Sequence, residues 1–140
     1  MFVLNEQLKK DCLLVGVFPL SQLLLMNDSQ YPWFIQVPQR ENITEIYQLS
    51  AADQKQQHRE SIYLSEILMK TFEGDKLNIA ALGNVVSQLH IHHVVRYRSD
   101  NAWPAPVWGK LPAKPYENEV LEDRLQSLRK NLTEDFVFNC

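Results

Sequence analysis

The segment "QLHIHHVVRYR", residues 88–98, carries three of the chain's four histidines. The residues around them, Val85, Val86, Ile91, Val94 and Val95, are β-branched, and such side chains favour extended backbone. A strand is expected from about Val86 to Arg98. Strand side chains alternate between faces. Gln88, His90, His92, Val94 and Arg96 then share one face, and Leu89, Ile91, His93 and Val95 share the other. The cluster is therefore a pair, His90 and His92, with His93 pointing away.

Three uses of that pair compete. Two imidazoles on one strand face can share a zinc ion, but a catalytic zinc site needs a third protein ligand. His58 has no partner spacing, and the chain has neither an HExxH nor a CxxC pattern, so no metal or other cofactor is expected. The pair could also simply cover a sheet face. The third use is chemical. A neutral imidazole is a competent nucleophile toward phosphorus. A second donor about 7 Å along the same face could reach a phosphate oxygen.

Outward from this strand, the pattern is strands first and helices later. Residues 5–12 suit a short helix. "CLLVGVF" (12–18), "SQLLLMND" (21–28) and "PWFIQVPQR" (32–40) read as an antiparallel meander punctuated by Pro19 and the turn-rich "NDSQYP". Ser50 followed by Asp53 resembles an N-cap with an acid in the first turn. Leu64, Leu68 and Phe72 recur every four residues, with Met69 alongside, so a helix runs from about Ala51 to Phe72 and closes at Gly74. "KLNIAALG" (76–83) is another strand. The stretch from Ser99 to Glu119 holds four prolines and two tryptophans and reads as an ordered aromatic loop. Residues 117–132 form an amphipathic helix with Val120, Leu121, Leu125, Leu128 and Leu132 on its apolar side. This order predicts an α+β fold with helices on an antiparallel sheet.

The totals set limits. At 140 residues the chain is one domain by size. A formal net charge of −3 gives no basic footprint for a nucleic-acid polymer. The run "CLLVGVFPL" is too short to span a membrane, and "MFVLNEQLKKD" does not read as a signal peptide. Cys12 and Cys140 lie near opposite ends and form no metal-binding pair; a reducing compartment fits them. The expectation is a cytoplasmic protein of bacterial type, with no membrane partner.

The run "LNIAALGNVVSQLHIHHVVR" (77–96) resembles the signature of the histidine-triad (HIT) family, His-φ-His-φ-His-φ-φ with φ apolar. Two registers are possible: His90 and His92 as the first two histidines with Val94 in place of the third, or, as preferred here, Gln88 in place of the first and His90 and His92 as the middle and last. Arg96 then falls where the family often has arginine. The run is similar to a bacterial branch reading close to "LNxxxLGNxVxQLHxHxxxR", followed by "WPxPVWG", which "AWPAPVWG" (102–109) matches. "LLLMNDSQYPWFIQVP" (23–38) resembles the family's ribose-side strand pair. The resemblance implies a single HIT-like domain over 1–140, with a core at 13–109 and a C-terminal loop and helix at 110–140.

It also implies chemistry. The activity would be nucleotide phosphohydrolase or nucleotidyl transferase, cleaving at the α-phosphate of a dinucleoside polyphosphate, a nucleoside phosphoramidate or a similar nucleotide conjugate. A nucleotide-binding regulatory protein with weak catalysis is the alternative. His90 would be the nucleophile and form a nucleotidyl-histidine intermediate. The Gln88 carbonyl would fix its tautomer, and His92 would donate to phosphate oxygens. Asn84 and Asn78 match residues near phosphate or leaving group, and Asn27 and Asp28 match the ribose contact, although Asn-Asp before a turn is also common punctuation. Trp33, Trp103 and Trp108 read as packing anchors rather than base-stacking plates. Members are usually homodimers, and the apolar face from Leu64 to Phe72 together with the aromatic loop looks too hydrophobic for a monomer to bury alone. Two departures stand out: Gln88 cannot act as an acid, and a further family histidine near Trp33 is missing.

Overall fold

The computed structural model describes residues 1–139; the Cys140 reading lies outside them. The elements run α1 (Glu6–Asp11), β1 (Cys12–Val17), β2 (Ser21–Met26), β3 (Trp33–Pro38), a 3-10 turn (Ile46–Gln48), α2 (Ala51–Phe72), β4 (Lys76–Ala80), β5 (Ile91–Arg96), α3 (Asn118–Asn131) and β6 (Val137–Phe138). The strands form one six-stranded sheet in the order β4-β5-β3-β2-β1-β6, with every pairing antiparallel. This is the α+β architecture expected from the strand and helix pattern.

Two apolar layers sandwich the sheet. On one face Leu64 and Leu68 of α2 and Leu128 and Leu132 near the end of α3 pack on Val15, Leu23, Leu25, Phe34 and Val95. On the other, Leu8 of α1 and Ala102 and Val107 of the aromatic loop pack on Leu24, Trp33, Ile35 and Val94. The face from Leu64 to Phe72 is thus covered by the chain's own sheet and C-terminal helix. Ile62 of α2 and Leu111 of the aromatic loop stay exposed. Val120, expected on the apolar side of α3, is exposed.

The N-terminus of α2 follows the sequence closely. The Ser50 side chain accepts from the Asp53 backbone N–H at 3.1 Å, satisfying one of the free donors of the first turn. The C-terminus does not. Glu73 itself takes the left-handed conformation, at φ 49°. Gly74 comes next for a different reason: a Cβ there would collide with Val95 and crowd Met69.

The histidine strand is shorter than expected, starting at Ile91 rather than Val86. Its partners explain this. Pairing with β3 ends at Gln36–Ile91 and pairing with β4 ends at Ala80–His92. Upstream of Ile91 no ladder remains, and Leu89 N–H turns to the Ile43 carbonyl instead. The β6 pairing was not foreseen either. It rests on Gly16, where a side chain would occupy the place of the Val137 carbonyl and the Phe136 ring. Cys12 is a half-buried free thiol. Burial, with Asp11 beside it, pushes it up to about 12, so it stays protonated and unreactive at neutral pH.

Candidate active site

Strand pairing sets which way each histidine points. His92 pairs with Ile35 of β3 and Ala80 of β4, while His93 pairs with Phe34 and Ile79. Paired residues share a face, so His92 lies on the aromatic-loop side and His93 on the helix side. His93 is fully buried. Its Nδ1–H donates to the Ile91 carbonyl at 3.1 Å and its Nε2 accepts from the Ser61 hydroxyl at 2.7 Å. Both nitrogens are spent, and the ring ties α2 to the sheet.

His90 stands one residue before β5. Its Nδ1 lies 2.7 Å from the Gln88 carbonyl. A carbonyl can only accept, so Nδ1 carries the proton and Nε2 keeps its lone pair. The His90 and His92 rings are 4.9 Å apart, edge to face, closer than the roughly 7 Å two-residue repeat of a strand. His92 Nδ1 lies 3.0 Å from Trp33 Nε1, and the Trp108 ring packs edge-on at 5.3 Å. Both histidines are nearly buried, at 7% and 5% exposure.

A cleft of about 470 Å³ is lined among others by Asn27, Asp28, Trp33 and Trp108, while neither His90 nor His92 lines it. That volume lies within the usual range for small-molecule sites, roughly 300–1,000 Å³. Asp28 is buried at one wall. Its Oδ1 accepts from Gln30 N–H, Gln30 Nε2 and Lys114 N–H at 3.0–3.3 Å, and among the described residues no donor reaches Oδ2. Asn27 Oδ1 accepts from Tyr116 N–H at 2.9 Å. Two of the residues lining the cleft, Trp33 and Trp108, also touch His92 and so connect the cleft to the histidine pair.

Other expected site residues have different surroundings. The Gln88 side chain is engaged by the N-terminal segment: Oε1 accepts from Asn5 N–H and Nε2 donates to the Val3 carbonyl, both at 2.9 Å. Only its backbone carbonyl belongs to the histidine pair. Asn78 Oδ1 accepts from Arg96 Nη1 at 2.9 Å. Asn84 is exposed in the loop after Gly83, and the left-handed φ of 74° belongs to Gly83.

Arg96 is 1% exposed. It makes a two-pronged pair with Asp100 at 2.8 and 3.0 Å and lies over the Tyr31 and Trp103 rings. Asp100 also accepts from the backbone N–H groups of Tyr97, Ala102 and Trp103. Burial raises the Asp100 carboxyl, but Arg96 and these N–H donors outweigh it and hold it below the usual range. The pair anchors the start of the aromatic loop that walls the cleft. Asp100 is the organising residue that sequence reasoning passed over, and Trp33, read as a packing anchor, also hydrogen-bonds His92. An acid four residues after an arginine, in "RYRSD", was the available signal for Asp100.

Burial, with His90 and His93 nearby, depresses His92 to about 3. Burial also depresses His93, to about 4, against the opposing Ile91 hydrogen bond. Unfolded histidines take up a proton near pH 6.5. Below that pH the unfolded state binds more protons, so stability falls as pH falls. The full contribution is present above about pH 6.5 and is lost down toward pH 4 and then 3. From pH 7 to pH 5 the pair should cost roughly 4 kcal/mol, at about 1.4 kcal/mol per proton per pH unit. Urea unfolding at the two pH values checks this, and His93→Asn should remove about half of the dependence. Equal stability at both would contradict it.

Among the described residues, no three His, Cys, Asp or Glu side chains converge on one point, and no helix is long and apolar enough to cross a membrane. The HIT domain model matches residues 7–99. The chain belongs to the HIT family. A histidine-triad protein from Marinobacter aquaeolei is 48% identical, with a TM-score of 0.91 over 94% of this chain and 96% of that one. Those from Bradyrhizobium japonicum and Sinorhizobium meliloti are 38% and 39% identical, with TM-scores of 0.92 and 0.91. Each alignment covers 94% of this chain, and 98% and 97% of the respective relative. No curated protein matches at a significant level. HIT membership points to nucleotide binding with hydrolase or transferase chemistry.

Proposed function

We propose that the protein is a nucleotide hydrolase or nucleotidyl transferase of bacterial type, cytoplasmic, with Gln88 standing where the family's first histidine would be. One observation carries the reading: the Gln88 carbonyl holds His90 Nδ1 at 2.7 Å, which leaves Nε2 as a free nucleophile. Nε2 donates its lone pair to the α-phosphorus of a dinucleoside polyphosphate, nucleoside phosphoramidate or related conjugate. The bond from phosphorus to the leaving group breaks, and its electron pair departs with that group. Water then attacks phosphorus, the P–N bond breaks, and nucleoside monophosphate leaves with Nε2 restored. His92 stabilises the developing oxyanion. Asp28 Oδ2 accepts from the ribose hydroxyls, with Asn27 beside it, and Asn84 and the free amide nitrogen of Asn78 serve the phosphate side.

The proton for the leaving group comes from solvent, because an amide at position 88 transfers none at neutral pH and its side chain is already engaged by Val3 and Asn5. Good leaving groups should therefore be preferred. A panel of adenosine and guanosine phosphoramidates and dinucleoside polyphosphates tests this. Turnover of at least one class, fastest for the better leaving group, is expected. Tight binding of nucleotide without turnover of any would instead support the regulatory reading, which the engagement of the Gln88 side chain favours.

The active species is proposed to be a homodimer joined through β4. This is an edge strand, next to β5 only, and Ile79 and Leu82 at that edge are exposed. Unpaired edges of this kind invite a partner strand. Sedimentation equilibrium at micromolar concentration should give a species of twice the chain's 16.4 kDa; a monomer alone would contradict the proposal.

A further inference from the structure

Trp33 sits on β3 with its indole turned toward the histidine pair. It is 7% exposed, and its Nε1 lies 3.0 Å from His92 Nδ1. An indole N–H only donates. His92 Nδ1 must therefore accept, and in the neutral ring the single proton sits on Nε2. The ring has little freedom to escape this. Trp33 packs 5.8 Å from it at a tilt and Trp108 packs edge-on at 5.3 Å, while the two indoles are themselves 6.0 Å apart. A half-turn of the imidazole would set a C–H against the indole N–H and leave a buried donor unpaired, which is costly.

We infer that Trp33 is a positioning residue that locks His92 as its Nε2–H tautomer, so that the edge of the imidazole away from Trp33 presents a fixed neutral donor to a phosphate oxygen. The inference rests on the nucleotidyl-transfer reading for its purpose, but not for its structural content. The two histidines then have opposite tautomers, each set by one contact. His90, held by a carbonyl acceptor, carries its proton on Nδ1 and attacks through Nε2. His92, held by an indole donor, carries its proton on Nε2 and donates through it. The His92 donor is ready before substrate arrives, and preorganised donors of this kind stabilise developing charge most effectively. Because an indole cannot give up its proton in this pH range, Trp33 orients His92 without relaying a proton to it.

The test reads the resting protein first. With ¹⁵N-labelled histidine, long-range proton–nitrogen correlation at pH 7 should show His92 with an unprotonated Nδ1 and a protonated Nε2, and His90 with the reverse. Trp33→Phe keeps the ring bulk and removes the donor. It should turn the His92 signals into a mixture of tautomers and lower kcat about 10-fold with little change in KM. Trp33→His, which can again offer an N–H, should recover most of both. A wild-type His92 protonated on Nδ1 would overturn the inference, as would a Trp33→Phe variant with unchanged tautomer. The expected tautomers in a wild-type protein that turns over no nucleotide conjugate would leave the structural inference standing and defeat the functional reading instead.

Discussion

Replacing His90 with alanine should lower kcat/KM by at least about 10⁴-fold, in line with removal of a covalent nucleophile elsewhere. No neighbouring group can take its place. His92 is the nearest imidazole, but its Nδ1 is occupied by Trp33 and its Nε2 then holds the proton. His93 is buried on the far side of the sheet with both nitrogens engaged. Nucleoside monophosphate should still bind, since the cleft wall around Asn27 and Asp28 does not depend on the His90 ring. His92→Ala should be milder, on the order of 100-fold, because it removes charge stabilisation rather than the attacking atom. Steady-state kinetics and a monophosphate titration on the variants separate these effects. Full activity in His90→Ala together with a dead His93→Ala would overturn the assignment of faces.

Arg96→Met should destabilise the fold by about 3–5 kcal/mol, the usual cost of leaving one member of a buried ion pair alone. Both side chains are nearly inaccessible, at 1% for Arg96 and 2% for Asp100. Asp100 would keep its three backbone donors but lose the guanidinium that offsets its charge, and Asn78 would lose its donor. The damage should reach the cleft, because Asp100 anchors the loop that carries Trp103, Val107 and Trp108. Adding Asp100→Asn to Arg96→Met should recover much of the loss, since the stranded charge is then gone. Urea unfolding of the single and double variants measures this. A loss below about 1 kcal/mol in Arg96→Met, the range of an exposed pair, would show that the pair does not organise the loop.

The long helix and the phase of the histidine strand were legible because each rests on local pattern. Four-residue spacing of Leu64, Leu68 and Phe72 describes one face of a helix wherever the helix lies, and the Ser50 cap is settled within three residues. Alternation through His92, His93, Val94 and Val95 separates the two faces before any partner strand is known. Strand ends were less legible, because they depend on where distant partners stop. Ile91 begins β5 only because Gln36 and Ala80 end their ladders there. The two-residue β6 is set by the space left at Gly16, which no period reveals. The surroundings of the site were hidden for the same reason. The contact between Trp33 and His92 spans 59 residues, and that between Gln88 and Asn5 spans 83. The Gln88 carbonyl reaches His90 within two residues, whereas the engagement of its side-chain amide by Val3 and Asn5 depends on the distant N-terminal segment. The packing of α3 against α2 is likewise a long-range event.

Transfer through His90 can be seen directly. The protein would be mixed with a nucleoside phosphoramidate or dinucleoside polyphosphate labelled at the α-phosphate, quenched within milliseconds in alkaline denaturant, and digested. The account predicts label on the peptide containing His90, stable in alkali, released by mild acid as nucleoside monophosphate, and absent from His90→Ala. Substrate hydrolysis at full rate with no label on His90, or with label on His93, would contradict it.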